Sequence, residues 1–419
     1  MRRSRRTVAV ALLPAAVLLS ACSTGDAGGQ RAGATPAAAG AATPDSGAAP
    51  AAAAAPGAPA AERGGVRRVS AESDTVPVRA LYVNRFAAQS TKKLARIIGY
   101  ADSTEINALV VDMKDEFGLN YMPADAEFAR NAGTQTRLRS VRALLDTLRA
   151  HDILPIARLV VFKDSVTARV HPEWTIRRPD GSIWRDHKGL AWVNPYHREL
   201  WDYNIGLAEE LVRLGFGEVQ FDYIRFPEPY KSLPPQVFPE HKGQSKPDAI
   251  AEFLKVANAR LDKLGARSTA DIFGLVTTVN GPLEVAQWYE KVSPVTDVLL
   301  PMVYPSHYPR GSYGVARPNA EPYRIVNVAL SRARERDEKL GIRDPYHVRP
   351  YLQAFTLGAP AYGAAEVGAQ IKATYDAGYE GWVLWHPGSN YEAFVPAFAK
   401  TLASRASKQP TAAKLGSVE

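Results

Sequence analysis

The sequence predicts a (β/α)8 TIM barrel, a single α/β domain over residues 78–405. Eight strand-like runs alternate with helical patterns along this segment, the arrangement of a closed parallel barrel. The connections that follow strands are long and those that follow helices are short, so the extra residues collect on one face. No GxGxxG segment follows the first strand and no Walker loop is present, which argues against an open doubly wound sheet.

The predicted strands alternate regularly with helical patterns. They are Arg79–Asn84, Ala108–Lys114, Leu154–Val161, Glu218–Phe226, Thr269–Thr277, Asp297–Tyr304, Val348–Phe355 and Gly381–His386.

Helical patterns separate most of these strands. The predicted helices are Thr91–Ser103, Arg139–Ala150, Tyr196–Leu214, Asp248–Leu264, Pro322–Leu340 and Ala364–Ala377. The third of them carries apolar residues at three- and four-residue steps, as an amphipathic helix does. Several end at a glycine able to adopt the left-handed conformation at C′, for example Gly215 and Gly378.

The long connections predict where function lies. They are Asp115–Leu138, Phe162–Asn194, Pro227–Pro247 and Pro305–Glu321. In a barrel every strand-to-helix connection lies at the C-terminal face, where active sites are built.

The N-terminal segment is typical of an exported protein. Residues 1–21 combine the basic start MRRSRR with an apolar run, a pattern that predicts a signal peptide too short to span a bilayer stably. The run ends in Leu-Ser-Ala-Cys, which resembles a lipobox and makes Cys22 the predicted lipid attachment site. The alternative is a plain signal peptide with an incidental cysteine.

The flanking segments are predicted to be disordered. Residues 22–77 are mostly Ala, Gly, Pro, Ser and Thr and predict a flexible tether, and residues 406–419 predict a disordered tail. We therefore expect a chain that is lipid-anchored to the cell envelope, in the periplasm or at the cell surface. Four arginines of the signal account for half of the net charge of +8, so the charge does not indicate a nucleic-acid partner.

Two aspartates at predicted strand ends are candidate catalytic residues. Asp222 lies in QFDYIRFP on the fourth strand, and Asp271 lies in ADIFG on the fifth. Two carboxyl groups pointing into one barrel mouth can act as acid and as nucleophile or base in glycosidic cleavage. The alternatives are that Asp222 pairs with Arg225 or Arg158, and that Asp271 caps a strand.

A charged group on the second and third strands is a candidate sugar-binding set. Strand alternation predicts that Asp112 and Lys114 point the same way, and Arg158 stands inside an apolar strand, where it needs an acidic partner. These side chains either bind sugar hydroxyls or form ion pairs that brace the barrel.

Aromatic and polar residues complete the predicted substrate site. Aromatic rings favour the C–H faces of pyranose rings, and the long third loop carries Trp184 and Trp192. Further candidates for substrate binding lie at later strand ends: Arg225, Tyr304, His307, Gln353 and Trp385. Each of these residues could instead have a packing role.

Seven segments resemble a known bacterial family. VVDMKDE, IARLVVFKD, WRDHKGLAWVNPY, QFDYIRFP, ADIFG, LPMVYPSHY and RPYLQAFT look like the glycoside-hydrolase-like domain long catalogued as a domain of unknown function. The resemblance extends from Arg79 to about Tyr391 and implies a TIM barrel related to the α-amylase-type glycosidases. It implies Asp222 as nucleophile and Asp271 as acid, although Gln220 replaces the usual arginine and the acid is usually glutamate.

Other chemistries lack their motifs. The single cysteine excludes a disulfide framework and a thiolate zinc cluster, and no HxH, HExxH or GxSxG motif occurs. No cofactor, metal or nucleic acid is predicted, and a monomer is expected. The sequence thus predicts a glycoside hydrolase acting on a cell-envelope or extracellular polysaccharide. The alternative is a non-catalytic glycan-binding lipoprotein on the same scaffold.

Overall fold

Eight parallel strands close into one barrel in the computed structural model, which describes residues 76–398. They are β1 (Arg79–Val83), β2 (Ala108–Asp115), β3 (Leu154–Val160), β4 (Glu218–Asp222), β5 (Arg267–Phe273), β6 (Val298–Met302), β7 (Tyr351–Gln353) and β8 (Trp382–Trp385). Each strand pairs with the next, and β1 pairs with both β2 and β8, which closes the sheet. The predicted (β/α)8 TIM barrel is confirmed.

Helices surround the barrel. Within residues 76–398 they are α1 (Arg85–Gln89), α2 (Thr91–Ser103), α3 (Ala126–Ala129), α4 (Val141–Ala150), α5 (Thr167–Val170), α6 (Arg198–Leu214), α7 (Lys246–Asp262), α8 (Tyr289–Val292), α9 (Pro322–Lys339) and α10 (Ala364–Asp376). Serine side chains cap α4 and α7, because Ser140 and Ser245 accept from the backbone N–H of the third residue of each helix.

Three predicted strands end earlier than their apolar runs. β4 stops at Asp222 because Tyr223 adopts a left-handed backbone conformation, with φ of 53°. After β5 the chain forms a 3-10 turn at Gly274–Thr277, and β7 is only three residues long. The shorter strands move the residues after Asp222 and Phe273 out of the sheet and into the loops at the C-terminal face.

The apolar core has two layers. Most of it lies between the strands and the outer helices, and a smaller cluster that includes Ala80, Val110, Ile156 and Leu300 fills the inside of the barrel. Burial of each large side chain contributes about 1.5–3 kcal/mol. Polar side chains from β1 to β5 lie at the C-terminal end of the barrel interior, beyond the apolar cluster that fills it.

Several predictions lie outside the described residues. These are the signal peptide of residues 1–21, the lipid attachment site Cys22, nearly all of the tether and the tail of residues 406–419. Among residues 76–398, every helix is too short or too polar to cross a membrane.

Candidate functional site

Five polar side chains meet inside the C-terminal end of the barrel. Tyr82, Asp112, Arg158, Asp222 and Asp271 come from β1 to β5, one from each strand, and all are buried. Strand register brings them together, since Asp112 pairs with Arg158 and Asp222 lies opposite Val160. We call these five residues the mouth cluster.

Arg158 links two carboxylates of the mouth cluster. Its Nη1 donates to Asp112 Oδ1 at 2.5 Å, while its Nε donates to Asp222 Oδ2 at 3.1 Å and its Nη2 donates to the same oxygen. The acidic partner expected for Arg158 is therefore present twice. Pairing with Arg158 is also one of the structural alternatives that the sequence left open for Asp222.

Asp222 is held at the end of β4 by its own backbone. The left-handed conformation of Tyr223 directs the Tyr223 N–H at Asp222 Oδ1, at 2.6 Å. A non-glycine residue in this conformation costs about 1–3 kcal/mol and is retained only when its surroundings enforce it. Asp222 thus accepts from a guanidinium and from a backbone amide, a setting that suits a charged carboxylate.

Asp271 has a different environment. Its side chain is 1% exposed, Oδ2 accepts from Gln220 Nε2 at 2.8 Å, and Oδ1 has no hydrogen-bond partner. Burial, with Asp222 in hydrogen-bonding reach, raises the pKa of Asp271 well above its usual range, although Arg158 acts in the opposite direction. The environment of Asp271 therefore favours its neutral form, whereas Asp222 accepts hydrogen bonds from a guanidinium and a backbone amide.

Tyr82 completes the cluster. Its hydroxyl donates to Asp112 Oδ2 at 2.5 Å, and its ring lies 5.5 Å from the Arg158 guanidinium. Burial raises the pKa of Asp112, and Arg158 and Tyr82 oppose that shift. Three carboxyl groups surround one guanidinium, so at least one of them is favoured in its neutral form.

Lys114 lies away from the mouth cluster. The pairing of β2 with β3 shifts between Asp112 and Lys114, so the two side chains do not share a face as strict alternation predicts. Lys114 Nζ instead contacts Asp164 at 2.7 Å and Asn204 Oδ1 at 3.1 Å, fully buried. Its contacts are those of a structural ion pair between β2 and the β3 and α6 segments.

An aromatic group stands above the mouth cluster. Trp385 stacks on Tyr304 at 5.7 Å between ring centroids and meets Phe355 edge-on at 5.1 Å. His307 lies 5.4 Å from Tyr304, and burial lowers the pKa of this histidine to about 4. Trp385 and His307 are half-buried, so part of this apolar, uncharged surface faces solvent.

Gln353 and Arg225 hold loops around the mouth. The Gln353 side chain accepts from Ser306 N at 3.0 Å and donates to Phe355 O at 3.0 Å, which joins the β6 and β7 connections. The Arg225 guanidinium lies 5.0 Å from the Tyr223 ring and pairs with Glu228 at 3.2 Å. Both side chains are buried next to the mouth cluster rather than directed into it.

The two candidate tryptophans are buried in the third loop. Trp184 is 1% and Trp192 2% exposed, inside a small antiparallel ribbon formed by residues 175–193. Trp184 Nε1 donates to Pro234 O, and Trp192 Nε1 donates to Asp186 Oδ2. Their placement corresponds to the packing role, and neither presents a ring face to a sugar.

Two residues of the site were absent from the sequence prediction. Tyr82 lies in a short apolar run, where an aromatic residue is ordinary, and Tyr351 is similar. Tyr351 OH accepts from Gln220 Nε2 at 2.8 Å, so Gln220 joins it to Asp271. Period-two alternation from Ala80 could have placed Tyr82 inside the barrel, but only the closed sheet brings it to Asp112.

No group of three or more His, Cys, Asp or Glu side chains within residues 76–398 has the arrangement to hold a metal ion. The mouth cluster itself consists of three carboxyl groups, a guanidinium and a phenol.

Two solved structures are similar to this chain. A hypothetical protein from Ruminiclostridium thermocellum ATCC 27405 is 35% identical over 46% of this chain and 96% of its own, with a TM-score of 0.42. The PgaB (BpsB) glycoside hydrolase domain from Bordetella bronchiseptica is 13% identical over 77% of this chain and 98% of its own, with a TM-score of 0.52. The second likeness shows a shared fold. No curated protein gives a significant match.

A family model matches residues 80–391, which is most of the chain and nearly the whole barrel. The matched range includes every member of the mouth cluster and the aromatic group above it. The chain therefore belongs to the family described as "Putative glycosyl hydrolase domain".

Proposed function

We propose that this protein is a glycoside hydrolase that cleaves O-glycosidic bonds in a cell-envelope or extracellular polysaccharide. In this proposal Asp271 is the general acid and Asp222 is the nucleophile or base. The observation that supports it most is the buried Asp271, which has a raised pKa and a free Oδ1 beside an ion-paired Asp222.

The roles follow from the two environments. Protonation of the leaving oxygen requires a carboxyl that keeps its proton at neutral pH, which the site of Asp271 favours. Attack on the anomeric carbon requires a charged carboxylate, and the Arg158 guanidinium and the Tyr223 N–H stabilise that form of Asp222.

The role of Asp222 determines the stereochemical outcome of the proposed reaction. Retaining enzymes separate their two carboxyl groups by roughly 5–5.5 Å, and inverting enzymes by roughly 6.5–9.5 Å, which admits a water molecule. As a nucleophile, Asp222 would form a covalent glycosyl intermediate, and Asp271 would change from acid to base for its hydrolysis. As a base, Asp222 would activate a water molecule for a single displacement with inversion.

The aromatic group gives the substrate its platform. Trp385 and Tyr304 offer a stacked apolar surface directly beside Tyr82, since Trp385 lies 6.0 Å from the Tyr82 ring. A pyranose ring on that surface would bring its polar edge towards the mouth cluster.

A non-catalytic glycan-binding protein is the second candidate. The ion pair between Asp222 and Arg158 favours it, because a carboxylate engaged in this way can have a purely structural role. A binding protein would retain saturable glycan affinity without turnover.

Hydrolysis of a glycan panel by the purified protein tests the proposal. Release of reducing ends should fall by at least about 10³-fold in Asp222→Asn and Asp271→Asn, since each removes one half of the pair. Asp337→Asn is the matched control, because Asp337 is also a buried aspartate but contacts Ser293 and Tyr379 away from the mouth cluster. Release unaffected by either cluster substitution would refute the assignment.

The lipid anchor predicted at Cys22 completes the proposal. An acylated cysteine followed by a tether would hold the barrel close to the envelope polysaccharide, with several acyl chains needed for stable attachment.

A further inference from the structure

A surface pocket lies in the long connection between β3 and α6, residues 161–197, on the same face as the mouth cluster. Its volume is about 400 Å³, within the roughly 300–1,000 Å³ typical of ligand sites. Its apolar lining includes Pro172, Ile183 and Leu190. Two arginines, Arg169 and Arg185, also line it. We call this the arginine pocket.

Neither arginine has an acidic partner. Both are exposed, and within residues 76–398 no carboxylate lies within ion-pair distance of either guanidinium. Arg185 Nη1 donates only to a backbone oxygen, that of Gly189 at 3.0 Å. What distinguishes these two arginines from other exposed ones is that both line the same pocket, where their guanidinium groups can bind an external anion together.

Two acids of the same loop have other partners. Asp186 accepts from Lys188 N, Leu190 N and Trp192 Nε1 at 2.9–3.0 Å. Glu173 contacts His171 at 3.1 Å. Because neither carboxylate is within ion-pair distance of Arg169 or Arg185, both guanidinium groups have N–H groups available for an external anion.

The connection that forms the arginine pocket also carries a buried cation near Asp222. Lys163 follows β3 and is 8% exposed, and among the described residues no carboxylate lies within ion-pair distance of its ammonium, although Glu116 and Asp186 act on it from farther away. Its Nζ lies 4.8 Å from the ring of Tyr223, which follows Asp222 directly. The same loop therefore contributes to the arginine pocket and to the surroundings of Asp222.

We infer that the arginine pocket binds an acidic sugar residue of the substrate, with Arg169 and Arg185 pairing with its carboxylate or sulfate group. This inference rests on the proposed function and names the substrate class as an anionic polysaccharide. The apolar lining accepts the C–H face of a pyranose ring, and the guanidinium groups match a planar carboxylate or a sulfate in charge and hydrogen bonding.

Binding of defined oligosaccharides to the full-length Asp271→Asn protein tests the inference. The probes are a tetramer of galacturonate, a sulfated galactan tetramer and a neutral galactan tetramer, each measured by calorimetry at low and high salt. We expect at least one acidic tetramer to bind about tenfold or more tightly than the neutral one, and to weaken as salt increases. Comparison of the two acidic arms identifies the carboxylate or the sulfate as the recognised group.

Substitution of the arginines links binding to the pocket. Arg169→Gln and Arg185→Gln should each weaken acidic-tetramer binding about tenfold, with little effect on the neutral tetramer. Arg142→Gln is the control, because it removes an equally exposed arginine from α4 and changes the net charge by the same amount. Both substituted positions are on the surface, so circular dichroism should show an unchanged fold.

The outcomes separate this inference from the proposed function. Equal affinity for acidic and neutral tetramers, absence of binding, or unchanged acidic binding in a variant that combines Arg169→Gln with Arg185→Gln would overturn it. If the protein hydrolyses only neutral glycans and this hydrolysis depends on Asp222, the result would support the proposed function and overturn the inference of an acidic substrate. Arginine-dependent acidic binding without hydrolysis of any glycan by the unsubstituted protein would support the pocket and refute the proposed catalysis.

Discussion

Substitution of Arg158 by methionine should destabilise the protein in a strongly pH-dependent manner. The guanidinium lies 2.5 Å from Asp112 Oδ1 and contacts Asp222 Oδ2 through two nitrogens, in a site with little solvent. Removal of one member of a buried ion pair costs about 3–5 kcal/mol, because the remaining charge has no partner. Arg158→Met leaves two such carboxylates.

Protonation limits this cost and gives it a pH signature. A carboxyl of ordinary pKa requires about 1.4 kcal/mol per pH unit to stay neutral above that pKa, or about 4 kcal/mol at pH 7. In the variant the folded state would hold protons that the unfolded state releases, so the free energy of unfolding rises as pH falls. Between pH 7 and pH 5 the loss should shrink by about 2.7 kcal/mol for each carboxyl that is protonated in this way.

Urea unfolding followed by tryptophan fluorescence at pH 7 and pH 5 measures the loss of unfolding free energy and its change with pH. The triple variant Arg158→Met, Asp112→Asn, Asp222→Asn should recover much of the stability at pH 7, since no unpaired charge remains. Arg349→Met is the positional control: it breaks the buried pair with Glu218, at 2.6 Å, at the start of β4 and so away from the mouth cluster. A loss below about 1 kcal/mol at pH 7, or a loss that does not change with pH, would refute the reasoning.

Three further predictions follow from the site and the N-terminus. Asp271→Asn should be more stable than the unsubstituted protein, by an amount that grows as pH rises above about 4. The reason is that a carboxyl with a raised pKa in the folded state favours folding only at low pH, where it is protonated. Thermal melts at pH 5 and pH 8 check this, and a variant less stable at pH 8 would contradict it. Trp385→Ala should raise KM about tenfold, equivalent to about 1.4 kcal/mol, with a smaller change in kcat. Trp385→Phe should restore most of the substrate binding. An unchanged KM in Trp385→Ala would show that Trp385 does not contact the substrate. Cys22→Ser should move the protein from the membrane fraction to the soluble fraction in cells and abolish incorporation of labelled palmitate; a membrane-bound variant would contradict the lipid anchor.

The alternation of strands and helices was sufficient to predict the barrel. Its eight apolar runs and one-sided long connections are local features, and the closure of a parallel sheet follows from them. The positions of Asp222 and Asp271 could be predicted for the same reason, because each lies on the inward face of a strand near its C-terminal end.

The sequence was less informative where an irregularity of the backbone determines the direction in which a side chain points. The shift in pairing after Asp112 turns Lys114 away from the mouth, and a period-two pattern contains no signal for that shift. The third loop shows a similar limit, since Trp184 and Trp192 are buried by contacts with residues 230–240 and with their own ribbon. The arginine pocket depends on the same loop and on charges left without partners, which only the folded chain reveals.

The protonation state of Asp271 is the most direct test of the proposed mechanism. An infrared difference spectrum between the unsubstituted protein and Asp271→Asn at pH 7 should contain the carbonyl band of a neutral carboxyl group, and the corresponding spectrum for Asp222→Asn should show a carboxylate. Loss of the neutral band should coincide with loss of glycan hydrolysis as pH rises. A charged Asp271 at pH 7 would contradict its assignment as the acid and with it the mechanism proposed for this site.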